Sequence, residues 1–306
     1  MSREPKFLTP DAKAAQRPMP TVLAVHDLSC FGRCALTVIL PVLSAMGLQA
    51  VPVPTALLST HTGGFENYYF EDLTEAMEKI SAHLWEVGFR ADAVYTGFLG
   101  SEQQIQTVSG MIDRFGVGTP GETKALVLVD PVMGDDGCLY STYTPGMMQG
   151  MSCLCEKADV ITPNVTEACF LTGTAFCDTS EWSEKETEAY AARLCEKLCR
   201  FGTEKIVVTG IHFGHNRIGT YGYDTAQHGG QAFLYGTEYV SHAYPGTGDF
   251  FASVLLGELM RGKPFERAVV RASDLTGKVI GYSAGFDTPT RNGVAFEPFL
   301  AELSDE

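Results

Sequence analysis

Five short stretches of the chain are almost continuously apolar: TVLAV (Thr21–Val25), ADAVYTG (Ala91–Gly97), KALVLVDP (Lys124–Pro131), ADVITPN (Ala158–Asn164) and KIVVTG (Lys205–Gly210). A strand with one wet face alternates polar and apolar residues. Runs without that alternation suit strands covered on both faces, as in a parallel sheet. Between the runs, apolar positions recur at helical spacing. Leu73, Met77, Ile80, Leu84 and Val87 mark one helical face, and Tyr190, Ala191, Leu194, Cys195 and Leu198 mark another. Strands alternating with helices predict an α/β chain, a three-layer α/β/α fold with a mostly parallel central sheet. QAVPVPT (Gln49–Thr55) carries two prolines, which predicts an edge strand or one that ends early. IGTYGYD and QAFLYGTEYV read as short antiparallel strands, with Gly236–Thr237 as a turn.

Nearly every predicted core strand closes on polar residues or glycine: His26–Asp27, Thr96–Gly97, Asp130, Thr162–Asn164 and Thr209–Gly210. In an open parallel sheet, ligands bind in the crevice outside the carboxyl ends of the strands. These residues are therefore expected along one edge. Residues 1–20 read as a poorly ordered tail, and residues 21–306 as a single domain.

Composition narrows the partners. The net charge is -15, from 37 acidic and 22 basic residues, so no basic stripe exists to release counterions from nucleic acid or to meet an anionic membrane. The most apolar stretch, Cys34 to Gly47, is too short and interrupted to span a bilayer. Nine cysteines without a secretory signal point to a reducing, cytoplasmic setting. The histidines His26, His83, His212, His215, His228 and His242 share no metal spacing and read as structural or surface residues.

Three segments have chemistry to offer. In YPGTGDFFASVLLGELMRG, Gly246, Thr247 and Gly248 precede a strongly apolar helical pattern expected from about Phe250, and Asp249 stands at the junction. Amides at a helix start favour anions. Asp249 reads either as a helix cap or as a base facing a bound phosphate. DPVMGDDG supplies Asp130, Asp135 and Asp136, and TPNVTEACFLTG supplies Thr162, Asn164 and Glu167. Asp135 and Glu167 suit magnesium, which takes one or two protein carboxylates beside phosphates and water. They suit equally well a turn and a capping box running from Asn164 to Glu167.

Taken in order, HTGG (His61–Gly64), TGFLG (Thr96–Gly100), DPVMGD, TPNVTEA, VVTG (Val207–Gly210) and GTGD (Gly246–Asp249) resemble the pyridoxal kinase branch of the ribokinase-like superfamily, from Thr21 to about Gly285. HDLSCFGRCALTVILPVLSAMG looks particularly like the bacterial pyridoxal and pyridoxamine kinases. The resemblance implies ATP-dependent phosphorylation of the 5'-hydroxymethyl group of B6 vitamers, with Mg2+ and a monovalent cation such as K+, in a homodimer. It implies Asp249 as the catalytic base and Gly246, Thr247 and Gly248 as an anion hole. Asp135 and Glu167 would serve magnesium; Asp130 and Thr162, a monovalent cation; Asp135, Tyr140, Asn164 and Thr209, the nucleotide. His61, Thr62, Gly63 and Phe98 would meet the pyridine. Where this family carries a serine after the first strand, Asp27 or Ser29 must act, and Asp27 would favour an amine or a protonated ring nitrogen. Arg33 reads as either a phosphate contact or a helix opener.

Three rival readings stand beside this one. Hydroxymethylpyrimidine kinases, or kinases of other small alcohols, share the fold, but they commonly have cysteine where Asp249 stands. A dinucleotide oxidoreductase lacks support because HDLSCFGRCA has no glycine fingerprint. A nucleotide-binding sensor would not need Asp249, Asp135 and Glu167 together.

Overall fold

The computed structural model describes residues 19–116, 124–214, 216–226 and 230–304. All but the last two residues of the expected tail, and His215 and His228, lie outside these. β1 (Thr21–Phe31) leads to α1 (Leu36–Ala45), β2 (Gln49–Thr60), the short β3 (Phe70–Asp72), α2 (Thr74–Glu86), β4 (Ala93–Thr96), α3 (Glu102–Met111) and β5 (Leu126–Val129). A small ribbon of β6 (Gly134–Asp135) and β7 (Cys138–Leu139) precedes α4 (Pro145–Cys155), β8 (Val160–Ile161), α5 (Val165–Thr172) and α6 (Glu184–Leu198). β9 (Lys205–Phe213), β10 (Arg217–Asp224) and β11 (Gln231–Glu238) then lead to α7 (Thr247–Met260), α8 (Phe265–Ala284) and α9 (Leu300–Ser304).

The described strands of the main sheet run in the order β11-β10-β9-β8-β5-β4-β1-β2-β3. The neighbours from β9 through β2 are parallel, while β10, β11 and β3 add antiparallel pairings at the two edges. The apolar runs are explained by where their side chains go. Leu23, Val25, Val94, Val127, Val129, Ile206 and Val208 join the core under α2 to α6. Val22, Ala24, Ala93, Tyr95, Leu128 and Val207 join the opposite core under α1, α7 and α8. Each strand thus feeds both layers by its period of two, and no alternation survives in the sequence. The three-layer α/β/α expectation holds.

Three local expectations need correction. β2 does not end at its prolines but continues to Thr60, with β3 covering Ala56 to Leu58. Gln49 donates its N–H to Pro20 across the β1 side at 2.9 Å, so Pro52 and Pro54, of opposite parity, leave their missing N–H on the other side, where no described strand pairs. Gly236 and Thr237 are not a turn. They lie inside β11, where Gly236 pairs with Gly219, and a side chain at Gly236 would strike the Phe213 ring. Glycine here makes room for a neighbouring aromatic, which local sequence cannot distinguish from a turn. Finally, β1 does not stop at Val25: it carries Asp27 and Ser29 within the strand, past a bulge between His26 and Leu28.

Near the carboxyl end of α7, Arg261 pairs with buried Glu258 at 3.1 Å and donates to the Met46 and Leu303 carbonyls, tying α7 to the ends of α1 and α9. No described helix is long and apolar enough to cross a membrane.

Candidate active site

The parallel ladder itself assembles the site. Gly97 N–H donates to Val25 O, Asp130 N–H to Thr96 O, and Thr162 N–H to Val129 O, while Asn164 bridges to Thr209. Thr96, Asp130 and Thr162 therefore stand side by side at one edge of the sheet, level with Asp27 and Thr209, which lie inside the longer β1 and β9 and do not close them. Gly97 is needed there because a side chain would meet the ring of His26. His26 is fully buried against Tyr95, and burial lowers its pKa to about 3, so it stays neutral.

Above this edge lies the start of α7. The helix begins at Thr247, three residues earlier than the apolar pattern predicts, so Asp249 falls within its first turn. Gly246 is the cap residue, at φ 82°, and makes no side-chain cap. The cap reading of Asp249 fails. Its Oδ2 instead accepts the Ala35 N–H at 2.7 Å, from the other side of the site. Burial raises the Asp249 pKa to about 6, the Ala35 N–H opposes the rise, and the charge of Asp27 adds to it. Asp130 is raised too, by burial and then by Asp249, against the hydroxyl of Thr162, which donates to Asp130 Oδ1 at 3.0 Å. A side chain at Gly248 would come within 3.9 Å of Asp130 Oδ2, so β5 and α7 meet here across a glycine.

The capping-box reading of Glu167 holds. It completes a capping box with Asn164, its Oε2 accepting the Asn164 N–H at 2.8 Å, while Oε1 accepts the Met133 N–H at 3.0 Å. Yet it is buried beside Asp130, and burial followed by that charge holds its pKa well above the usual carboxylate range. Glu167→Gln is expected to turn an amide donor against one of these two N–H groups. Stability should fall by about 1–3 kcal/mol in denaturant titration; an unchanged midpoint would mean that the two bonds contribute nothing. Asn164 is also committed, donating from Nδ2 to Gly134 O at 2.9 Å. Asp135 is exposed on the β6–β7 ribbon, its pKa raised by burial of its surroundings. Tyr140 is 42% exposed; burial of its phenol, and after that the charges of Glu167, Asp135, Asp130 and Asp249, raise its pKa.

The acceptor-side residues divide. Asp27 is buried, takes the Ser29 hydroxyl on Oδ2 at 2.9 Å, and is raised in pKa by burial. Phe98 is half-buried, its carbonyl accepting from Thr55 Oγ1 at 3.3 Å. His61 has both ring nitrogens engaged: Gly63 N–H donates to Nδ1 at 3.1 Å, so Nε2 carries the proton and donates to Arg291 O at 2.6 Å. Its ring positions the loop, and Thr62 and Gly63 are the exposed members. Arg33 pairs through Nε with Glu297 at 2.6 Å.

Sequence reasoning missed Ala35, whose contribution is a main-chain N–H without a side-chain signal. It also missed Tyr95 and Ser253. Both are fully buried, and the Ser253 hydroxyl lies beside the Tyr95 phenol, opposing the rise in its pKa. The Tyr95 phenol lies within the fields of Asp130 and Asp249. Ser253 stands one helical turn after Asp249, a spacing that was readable.

Comparison with known proteins identifies the family and the fold. The family described as Phosphomethylpyrimidine kinase matches residues 40–291. A pyridoxine/pyridoxal/pyridoxamine kinase of Bordetella avium is 31% identical over 261 residues, covering 82% of this chain and 81% of its own. A Bacteroides thetaiotaomicron protein solved with pyridoxal superposes with a TM-score of 0.83 at 36% identity, over 93% of this chain and 96% of its own. The pyridoxal kinase of Lactobacillus plantarum gives a TM-score of 0.81 at 31% identity, over 93% and 96%.

Proposed function

The chain belongs to the phosphomethylpyrimidine kinase family, and from that premise we propose that it transfers the terminal phosphoryl group of ATP to the 5'-hydroxymethyl group of pyridoxal, pyridoxamine or pyridoxine. One observation carries the reading: Asp249 is held by a main-chain N–H from across the cleft and is not spent on capping its helix. Its free oxygen is available for the acceptor's proton. The hydroxyl oxygen attacks the γ-phosphorus in line, the proton passes to Asp249, and ADP leaves. The N–H groups of Gly246, Thr247 and Gly248 and the positive end of α7 stabilise charge on the phosphoryl oxygens.

ATP would lie along Asn164, Thr209 and Tyr140, and the acceptor against Asp27, Ser29, Thr62, Gly63 and Phe98. A lightly held magnesium would sit at Asp135 and Glu167, where it would neutralise phosphate charge; Asp135 is the exposed member, and both Glu167 oxygens already accept main-chain N–H groups. Asp130 and Thr162 would hold a monovalent cation. We read residues 21–306 as one kinase domain, cytoplasmic and homodimeric by the resemblance.

Asp27 is buried and no described cation pairs with it. It would receive an amine or a ring N–H+ of the acceptor. Asp27→Ser is expected to cut the ratio of kcat/KM for pyridoxamine to that for pyridoxine by about tenfold. An unchanged ratio would remove Asp27 from acceptor choice.

The family's description favours a second acceptor, hydroxymethylpyrimidine. A coupled ADP assay with pyridoxal, pyridoxamine, pyridoxine and hydroxymethylpyrimidine, beside Asp249→Asn, decides between them. Turnover of the pyrimidine alone would overturn the B6 assignment. Nucleotide binding without any turnover would favour a sensor.

A further inference from the structure

Ala35 adopts φ 48° and ψ -132°, positive-φ backbone outside the left-handed helical basin, which costs a residue with a side chain about 1–3 kcal/mol. Such a conformation persists only where the surroundings dictate it. Here they do. The Arg33 carbonyl is wedged between two glycines: a side chain at Gly246 would collide with it, and one at Gly293 would come within 2.6 Å. Both glycines have positive φ, 82° and 76°. Arg33 pairs with Gly293 as an isolated parallel bridge, and its N–H donates to Asn292 O at 3.2 Å. Two residues later, the Ala35 N–H reaches Asp249.

The same C-terminal segment grips the loop carrying His61. The Arg291 carbonyl accepts from His61 Nε2, its Nη1 donates to Gly64 O at 3.1 Å, and its guanidinium lies 5.1 Å from the centre of the Phe65 ring. Phe65 in turn packs edge-on against His61 and Phe31. Gly32 completes the contact, since a side chain there would meet the His61 ring.

We infer that residues 290–297 form a positioning strap: through Gly293 and Arg33 it fixes the Ala35 N–H on the base, and through Arg291 it holds the acceptor loop His61–Phe65. The inference rests on Asp249 being the base and on this loop facing the acceptor. The strap's one ion pair, Arg33 with Glu297, is exposed, with side chains 37% and 50% accessible. Exposed pairs contribute little, so the main-chain contacts and Arg291 carry the effect.

The test compares the wild type with Arg291→Ala, Arg291→Lys and Gly293→Ala, by steady-state kinetics and by amide hydrogen exchange of residues 31–37 and 58–66. Arg291→Ala is expected to raise KM for the acceptor about tenfold while KM for ATP and kcat stay within about twofold, with partial recovery in Arg291→Lys. Gly293→Ala is expected to lower kcat about tenfold and move the acidic limb of the pH profile upward, because an N–H that favours the ionised base is displaced. Exchange should quicken in 58–66 for Arg291→Ala and in 31–37 for Gly293→Ala. Equal effects on the two KM values, or unchanged exchange in either segment, would overturn the strap. Exchange is read without substrate, so it judges the strap even if the wild type turns over no B6 vitamer, a result that would count against the proposed function alone. Should Gly293→Ala fail to fold, the exposed Arg291 variants still decide.

Discussion

Asp249→Asn is expected to lower kcat by about three orders of magnitude and, in the same variant, to raise stability. The first effect is the loss of a general base, which typically contributes 10²–10⁴-fold, roughly. The second follows from burial. The Asp249 pKa is raised from 3.8 to about 6, so between those values the folded protein binds the proton more tightly than the unfolded chain. The contribution of this group to stability is complete below 3.8 and is lost as pH rises through about 6. At neutral pH the ionised carboxylate is a cost, and asparagine removes it while still offering an oxygen to the Ala35 N–H. A gain of about 1–3 kcal/mol is expected, seen as a rise in Tm at pH 7.5 that shrinks towards pH 4. In the wild type, kcat/KM should fall as pH drops through about 6. An Asp249→Asn enzyme that keeps a tenth of wild-type kcat, or that melts earlier at neutral pH, would end the assignment of Asp249 as base.

The second large effect belongs to Gly246→Ala. Left-handed φ costs a side-chain residue about 1–2 kcal/mol. The collision with the Arg33 carbonyl adds a main-chain displacement that no rotamer can relieve. Together they predict a loss of about 2–4 kcal/mol in denaturant titration. Because Gly246 opens the amide cradle, moving it also misaims the N–H groups, and kcat should drop about 100-fold. Gly262→Ala is the matched control. Gly262 has φ 75° but nothing within 4 Å of an added side chain, so only the backbone strain should appear, with kcat unchanged. Equal losses of activity in the two variants would refute the cradle.

What the sequence by itself determined is the layering and the inventory of the site. A parallel strand under two helical layers must be apolar at consecutive positions, so the runs around Val25, Val129 and Val208 were readable as buried strands. Thr96, Asp130 and Thr162 were readable as one edge, because parallel strands end together; Asp27 and Thr209 instead lie inside strands that run on past that level. Glycine was ambiguous, since the same residue serves a turn, a close approach or a phosphate. The sequence therefore misplaced Gly236 while setting Gly246 correctly at the start of a helix. The tertiary structure alone decided that Asp249 answers to Ala35, 214 positions away, and that Arg291 governs the loop of His61, 230 positions away. Periodicity is a local record of which face is buried. The partner of a main-chain N–H depends on how layers dock, and docking leaves no period in the chain.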